Sequence, residues 1–406
     1  MVPLVVVVVL IGMLVFEFLL TYLNHTYKNH PIPQHISDIY DPKSYQTWRK
    51  YDQEKVMFSV VMLLISTIMT LIFIFVLSPW WITIVSFWTD NVVLNTVLFL
   101  GLYALISYVI SSISGAYMTF HIEQRYGFNK TDVKTYVSDR IKQLLLMVIL
   151  GGSILSLLVY LYVRFSDGFI IMAWSVMVFL ILIMSILYTK FFIKLFNKLT
   201  VLEEGPLKEA IEAFAKDVGY PIKSIYVMDA SKRSTKLNAF FSGFGKFKDI
   251  VLYDTLIEKL TIDEIVAVLA HEIGHAKHKD VIKNSIQTFI VLGLYLLLFS
   301  YLVSMTFYLE QFNMPIDALG FQIFLFVILT SPLEIVTDVV FSYLSQRKEY
   351  RADGYAKRYG YQKALISALK KLSLENFSNL TPHPIVVALR YSHPPVAKRV
   401  SALMKN

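Results

Sequence analysis

The sequence predicts an all-α polytopic membrane protein that carries one polar domain at the membrane surface. Hydrophobic residues make up 56% of the 406 residues and charged residues only 17%. The mean hydropathy is +0.56, which is too high for a soluble chain. The apolar residues form long runs, and two long polar segments follow the fifth and the last of them. Runs and polar segments together predict this class.

Seven apolar runs are long enough to cross a bilayer, because about twenty helical residues span its hydrocarbon core. The first run lacks a basic leader and a small-residue cleavage site and carries Glu17, so we expect a retained span rather than a cleaved signal peptide. The predicted spans are approximately Val2–Leu23, Val56–Leu77, Val92–Ile113, Leu144–Val163, Phe169–Tyr188, Ile286–Phe307 and Ala318–Leu344.

The distribution of Lys and Arg predicts how the spans are oriented. The connections after the first and third spans are rich in these residues, whereas the connection that holds Trp80, Trp81 and Trp88 has none and Arg164 is alone in its turn. By the positive-inside rule, the N-terminus lies outside and the C-terminus lies in the cytosol. Both polar segments then lie on the cytosolic side, where they can form one domain.

This orientation divides the chain into four segments. They are 1–189 with spans one to five, 190–284 as the first part of the polar domain, 285–344 with spans six and seven, and 345–406 as its second part. In the first polar part we expect a helix near Pro206–Val218. We also expect a small β-hairpin sheet from Ser224–Met228 and Asn238–Leu252, with a turn at Ser242–Gly245.

The charge and the cysteine content narrow the chemistry. The net charge is +8, but the cations cluster beside apolar runs, as juxtamembrane residues do, so we expect no nucleic-acid partner. The chain contains no cysteine. Disulfides, iron–sulfur clusters and thiol nucleophiles are therefore excluded, and a metal site must use His, Asp or Glu.

The most informative motif is His271-Glu272-Ile273-Gly274-His275, an H-E-x-x-H zinc-hydrolase signature. On a helix its two imidazoles lie one turn apart and can reach one metal ion. The preceding segment has an amphipathic helical pattern, and a predicted span begins shortly after His275. The pentapeptide alone also fits a helix with two surface histidines, so a third ligand is needed.

A third ligand is predicted where the last span emerges on the cytosolic side. His278 is seven residues from His271, about 10 Å along a helix, which is too far to share an ion. Glu349 and Asp353 lie one turn apart on one helix face. One carboxylate can bind zinc while the other accepts a hydrogen bond from a ligand imidazole. The alternative is an ordinary ion-pair cluster with the adjacent cations.

Short segments along nearly the whole chain match the motifs of one known family in their order and spacing. They are Tyr126–Lys130, Ser231–Ser234, Asn238–Phe241, Ile250–Leu256, Val266–His275, Ser331–Pro332, Glu349–Asp353 and Tyr391–Pro395. With these segments the chain resembles the type I CAAX prenyl proteases, an integral-membrane gluzincin family. The resemblance implies a seven-helix transmembrane barrel that encloses a chamber, with a cytosolic-side gluzincin zinc-protease domain that contains a small β-sheet.

The resemblance also assigns the site. It implies one Zn²⁺ per chain, with His271, His275 and Glu349 as ligands and Glu272 as general base. Asp353 is expected to orient a ligand imidazole, with proton donor as the alternative. The resemblance places two further residues, His393 as a hydrogen-bond donor to the oxyanion and Asn238 at an edge strand that holds substrate. From the residues alone, these two are an ordinary loop histidine and a turn residue.

The predicted function is a membrane zinc metalloendopeptidase that removes the C-terminal aaX tripeptide from farnesylated or geranylgeranylated C-a-a-X proteins, with a second upstream cut in some substrates. We expect a monomer in the endoplasmic reticulum membrane or the inner nuclear membrane. Glu334 and Asp338 lie inside the last predicted span, where carboxylates face a cavity or a polar partner. These two carboxylates either line the chamber or form hydrogen bonds between helices, and both interpretations stay open. No role is assigned to Arg390.

Three alternatives compete with this function. A site-2-type intramembrane protease also uses H-E-x-x-H, but the charged residues from Lys277 to Asp280 place this motif at the membrane surface. A quality-control membrane protease of the heat-shock type has the same ligands, but fewer spans and no Tyr-Gly-Phe-Asn segment. A non-catalytic scaffold or translocon-clearing factor would use the chamber without chemistry, against which the intact Glu272 argues.

Overall fold

The structure is a computed structural model that describes residues 1–165, 168–220, 222–242 and 249–405. Within these residues, seven helices are long and apolar enough to cross a membrane. Each predicted apolar run coincides with one of them, which confirms the polytopic class. They are α1 (Val2–Tyr27), α2 (Pro42–Trp88), α3 (Val92–Glu123), α4 (Val133–Arg164), α5 (Phe169–Leu187), α9 (Asp280–Val303) and α10 (Leu319–Arg358).

The membrane helices form a closed ring. Each packs against the next in chain order, from α1 through α5 to α9 and α10, and α10 packs back against α1. The most apolar stretch of each helix is only 6–22% buried. A solid bundle would bury its inner face, so this low burial indicates a hollow barrel whose helices are accessible from both sides. The seven-helix barrel with an enclosed chamber is confirmed.

The barrel is sealed at the end that lies away from the polar domain. There Phe73 of α2, Phe99 of α3 and Phe321 of α10 are completely buried, together with Leu309 in the connection between α9 and α10. The three aromatic rings pack edge to face with one another or with neighbouring rings. This apolar plug closes the barrel at that end.

Several membrane helices extend beyond the predicted spans. Helix α2 begins at Pro42, where Asp41 caps it through the backbone N–H groups of Lys43 and Ser44. Helix α10 continues past the last apolar residues to Arg358. Hydropathy marks where a chain leaves the hydrocarbon, whereas a helix ends only where its hydrogen bonding does. The extension of α10 carries the predicted third ligand into the polar domain.

The polar domain combines a small sheet with short helices from both parts of the chain. The sheet has the order β1-β2-β4-β3. Its strands are β1 (Leu199–Val201), β2 (Ser224–Met228), β3 (Ala239–Ser242) and β4 (Asp249–Tyr253). The helices are α6 (Pro206–Asp217), α7 (Asp254–Lys259), α8 (Ile262–Lys277), α11 (Gln362–Glu375), α12 (Pro384–Arg390) and α13 (Val396–Met404).

The sheet is more complex than the predicted hairpin. Strands β3 and β4 are antiparallel, as a hairpin requires, but β2 pairs with β4 in parallel and β1 adds an antiparallel edge. A three-residue strand such as β1 has no detectable period, and the parallel pairing joins segments that are distant in sequence. The predicted turn at Ser242–Gly245 lies, apart from the backbone of Ser242, outside the described residues. Among the described residues, β1 and β3 are the two edge strands of the sheet.

One apolar core joins the two parts of the polar domain. Ile211 of α6, Leu256 of α7, Ile265 and Ile273 of α8, and Leu365 of α11 are almost completely buried in the same cluster. Helix α8 lies at its centre and contacts α6, α10 and α11. The helix that carries the metal motif is therefore held on several sides by packing.

Candidate metal centre and active site

Helix α8 begins with a capping box. The side chain of Thr261 accepts a hydrogen bond from the backbone of Glu264, and the Glu264 carboxylate accepts one from the backbone of Thr261. The same carboxylate also accepts hydrogen bonds from Ser367 and Lys371 of α11. The start of the metal-motif helix is therefore fixed to the second part of the chain.

The third predicted ligand reaches α8 because α8 and α10 cross at very short distance. A Cβ atom on Gly274 would lie 3.0 Å from Cα of Ala352 and 3.0 Å from Cβ of Tyr355. Only glycine fits this crossing without a shift of α10. The glycine inside the motif thus permits the approach that brings Glu349 to the two histidines.

The three predicted ligands lie together. Nε2 of His271 is 3.2 Å from Nε2 of His275 and 3.5 Å from Oε2 of Glu349. Nε2 of His275 is 3.1 Å from Oε1 of the same glutamate. Ligand atoms on a tetrahedral zinc, at bond lengths of about 2.0–2.1 Å, are separated by about 3.3 Å. The triangle therefore has the size that one such ion requires.

The polar atoms of this group also fit a cation. Oε2 of Glu349 is buried and, within the described part of the chain, no hydrogen bond of acceptable geometry reaches it. A buried carboxylate oxygen without a hydrogen bond is costly. His271, His275 and Glu349 are identified as a group able to hold one metal ion. An ion bound to all three would satisfy that oxygen.

Two further carboxylates fix the imidazole rings. Nδ1 of His271 lies 2.9 Å from Oδ1 of Asp353, and Nδ1 of His275 lies 3.0 Å from Oδ2 of Asp280. An Nδ1–H that donates to its carboxylate would leave the Nε2 lone pair of each ring available to a metal ion. Such carboxylate–histidine pairs set the tautomer and make the imidazole a better ligand.

The electrostatic environment of the histidines is strongly negative. Burial lowers the pKa of His271, but its contacts with the carboxylates of Asp353 and Glu349 outweigh burial and raise the pKa to about 9. Burial likewise lowers the pKa of His275, and contacts with Glu349 and Asp280 raise it above its usual value. The site thus favours positive charge at both rings, as a cation-binding site does.

Arg399 closes the site from the C-terminal helix α13. Its side chain is only 11% exposed and forms a two-point ion pair with Asp353, from Nε to Oδ2 at 2.9 Å and from Nη2 to Oδ1 at 2.6 Å. Its Nη1 lies 3.4 Å from Oε2 of Glu349. Bidentate guanidinium–carboxylate pairs are geometrically specific. Arg399 therefore holds Asp353 in the orientation that His271 needs.

The other predicted site residues surround this centre. His393 is 63% exposed, and its Nδ1 lies 2.7 Å from Oε2 of Glu349. Glu272 is half-buried on α8, beside the histidines, and is not part of the ligand group. Asn238 is exposed and directly precedes the edge strand β3. His278 directly follows the last residue of α8 and is not part of the ligand group.

The sequence did not single out Asp280 or Arg399 as site residues. Asp280 follows Lys279, whose backbone is left-handed with φ 58°, and this tight turn folds the start of α9 back toward His275. The position of this carboxylate, five residues after His275, was the feature of the sequence that could have indicated its role. Arg399 had none, because its partner Asp353 lies far away in sequence and on another helix.

A cavity of about 470 Å³ opens beside the metal group, between α9, α10 and the end of α12. Asp338 and Arg390 both line it and are ion-paired, and Arg390 also pairs with Glu17 of α1. Asp338 thus has both features that the sequence left open, a cavity and an interhelical partner. Glu334, one turn earlier, is exposed.

An H-E-x-x-H helix, the carboxylate of Glu349 brought to it by another helix and a membrane chamber beside them are the features of a multi-pass membrane metalloprotease. Sequence comparison agrees. Residues 202–406 match Peptidase family M48, and residues 21–198 match the CAAX prenyl protease N-terminal family, with five membrane helices. The chain belongs to family M48, and within it to the type I CAAX prenyl proteases. Membership of this metallopeptidase family implies a bound metal.

Individual relatives match over nearly their whole length. CAAX prenyl protease 1 of Saccharomyces cerevisiae is 34% identical over 96% of this chain and 92% of its own. The CAAX prenyl protease 1 homolog of Homo sapiens is 31% identical over 92% and 88%. The crystal structure of S. mikatae Ste24p superposes with a TM-score of 0.92 at 31% identity and covers 99% of both chains.

Proposed function

We propose that this protein is a zinc endopeptidase that removes the aaX tripeptide from farnesylated or geranylgeranylated C-a-a-X proteins. The observation that carries the proposal is the triangle of His271, His275 and Glu349, whose ligand atoms have tetrahedral zinc spacing. The substrate class comes from the relatives, which are named CAAX prenyl proteases.

Bound zinc would polarise the scissile carbonyl and lower the pKa of a bound water toward about 7. Glu272 sits beside the two histidines but is not one of the ligands. Its carboxylate is free to take a proton from the attacking water and to deliver it to the leaving amine. Glu272 is therefore the general base.

The remaining side chains position the reactants. Asp353 and Asp280 keep the Nε2 atoms of the two histidines directed at the ion. Nδ1 of His393 lies 2.7 Å from Oε2 of Glu349, and Nε2 is on the far side of the ring, where it can donate to the oxyanion that forms on the carbonyl.

The substrate backbone would bind as an added strand. Strand β3 is an edge strand among the described residues, and Asn238 at its start is exposed. Edge strands bind extended peptides through main-chain hydrogen bonds. The peptide would then lie across the polar-domain end of the barrel, with its prenyl group directed toward the chamber or a gap between helices.

The expected cellular setting follows from the same reasoning. A protease of prenylated proteins acts on the cytosolic face of the endoplasmic reticulum membrane, or of the inner nuclear membrane, with the N-terminus in the lumen. The basic connections on the side of the polar domain support this orientation. We further propose that the protein acts as a monomer and cuts some substrates a second time, upstream.

The deciding experiment is incubation of the purified protein with a farnesylated C-a-a-X peptide, with and without a zinc chelator, and mass analysis of the products. Release of the intact aaX tripeptide, lost on chelation and restored by Zn²⁺, is expected. Cleavage at scattered sites of an unfolded membrane protein, with no cut at the prenylated cysteine, would instead support the quality-control function.

A further inference from the structure

A second polar site lies on the outer face of the barrel. A pocket of about 440 Å³ between α9 and α10 is lined by Lys283, Arg347, Lys348 and Arg351, with Gln287 as a neutral polar residue and Ile286 and Leu344 as its apolar part. We call it the basic pocket. The neighbouring residues Asn284 and Thr288 of α9 line the chamber cavity instead. Helical residues two apart point in nearly opposite directions, so Ile286 faces away from the chamber, and Gln287, which lines both cavities, lies between them.

Positive charge in the basic pocket exceeds the negative charge beside it. Asp280 is ion-paired with Arg351, lies 3.9 Å from the ammonium of Lys283, and is also held by His275. The guanidinium of Arg347 lies over the ring of Tyr343, with 5.2 Å to its centroid. Among the described residues, no carboxylate lies within 4.0 Å of Arg347. One shared carboxylate thus faces four cations.

The burial of Lys348 makes this excess of positive charge energetically unfavourable. Lys348 is only 9% exposed, and its ammonium donates to the side-chain oxygens of Asn284 and Gln287. Within the described chain, no carboxylate approaches it within 4.0 Å. A buried ammonium with only neutral partners retains much of its desolvation penalty. A bound anion would remove that penalty.

Two exposed apolar stripes lead from the basic pocket into the membrane. On α9 the stripe consists of Ile286, Ile290 and Leu294, and on α10 it consists of Val340 and Val336. Tyr343 is exposed between the pocket and the second stripe, as aromatic residues at a membrane–water boundary are. A headgroup site with an apolar groove below it matches the two ends of a phospholipid.

We propose that the basic pocket binds the headgroup of an anionic phospholipid from the leaflet on the side of the metal centre, with its acyl chains between the two apolar stripes. Clusters of Lys and Arg between membrane helices recognise such headgroups. A soluble anion would not use the stripes, and a peptide carboxylate in the chamber would not reach the outer face. The proposal needs only the membrane location and does not depend on the proposed substrate.

Native mass spectrometry of the full-length protein in detergent tests this site, with dioleoyl phosphatidate and dioleoyl phosphatidylcholine as probes. The variant Lys283→Gln/Arg347→Gln removes two exposed cations and leaves the buried Lys348 in place. Phosphatidate affinity should fall about thirtyfold, from the contribution of two basic residues. The control Lys43→Gln/Lys50→Gln removes two exposed cations elsewhere on the same side of the protein and should bind phosphatidate like the wild type.

Three results would overturn the proposal. Phosphatidylcholine could bind as tightly as phosphatidate, or the pocket variant could keep wild-type affinity. Inorganic phosphate could displace phosphatidate at equal concentration, which would make the pocket a free-anion site. A preference for phosphatidate that is lost in the pocket variant and kept in the control supports the lipid site.

Discussion

Asp353 bridges Arg399 and His271. Its Oδ1 lies 2.6 Å from Nη2 of Arg399 and 2.9 Å from Nδ1 of His271, so one oxygen joins the C-terminal helix to the metal-motif helix. Removal of one partner of a buried ion pair leaves the other charge uncompensated. The precision of the metal site therefore depends on the last helix of the chain, although that helix supplies no ligand.

The first prediction concerns the two carboxylates behind the ligand histidines. Asp353→Asn and Asp280→Asn should each lower zinc affinity about 10- to 100-fold, because the imidazole loses the acceptor that fixes its tautomer. Competition with a chelating dye measures this. Asp38→Asn is the control, since Asp38 forms an exposed ion pair with Lys370 far from the site. Unchanged affinity in both site variants would contradict the orienting role.

The second prediction concerns the crossing of α8 and α10. Gly274→Ala should lower zinc affinity and cost about 1–3 kcal/mol of stability, because the new methyl group forces α10 and Glu349 away from α8. Gly354→Ala on α10 is the matched control, since a Cβ there meets no atom within 4 Å. Metal analysis and thermal unfolding report both effects. Full zinc content in Gly274→Ala would show that zinc binding does not require the close crossing of α8 and α10.

Only part of this fold and site could be predicted from the sequence. Local hydropathy predicts the spans, and one-turn spacing predicts the motif helix and the acidic pair Glu349 and Asp353. The role of Arg399, the second carboxylate at Asp280 and the parallel pairing of β2 with β4 depend on contacts between distant segments. No period or spacing encodes such contacts. The sequence shows Gly274 as part of the motif, but it does not show that Ala352 and Tyr355 pack against it.

The third prediction separates catalysis from metal binding. Glu272→Gln should retain zinc and fold normally but lose at least about a hundredfold in cleavage rate, because the glutamine cannot take a proton from water. Glu349→Ala should lower both zinc content and activity. His278→Ala should alter neither, since His278 lies outside the ligand group. Metal analysis beside a cleavage assay distinguishes the three, and substantial cleavage by Glu272→Gln would refute the general-base role.

The fourth prediction tests the orientation in the membrane. A glycan at the sequon of Asn129 is a poor reporter, because that side chain is buried. The chain has no cysteine, so single cysteines at exposed positions report cleanly. In intact microsomes an impermeant maleimide should label Lys50→Cys directly and Asp90→Cys only after permeabilisation. The reverse pattern would place the metal centre in the lumen.

The last prediction concerns how the substrate is held. A prenyl group that occupies the chamber or a gap between helices adds binding energy remote from the scissile bond, and this energy can orient the peptide at the metal centre. An unprenylated peptide of the same sequence should therefore be cleaved with kcat/KM lower by at least about tenfold.

Asn238→Ala should lower kcat/KM severalfold for both peptides, because one hydrogen bond at the strand edge contributes about 1 kcal/mol. Thr200→Ala is the matched control on β1, the opposite edge of the same sheet, where no substrate strand is expected. Equal kcat/KM for prenylated and bare peptides would favour a quality-control protease. If Asn238→Ala behaved like Thr200→Ala, strand addition at β3 would have to be abandoned while the zinc chemistry stood.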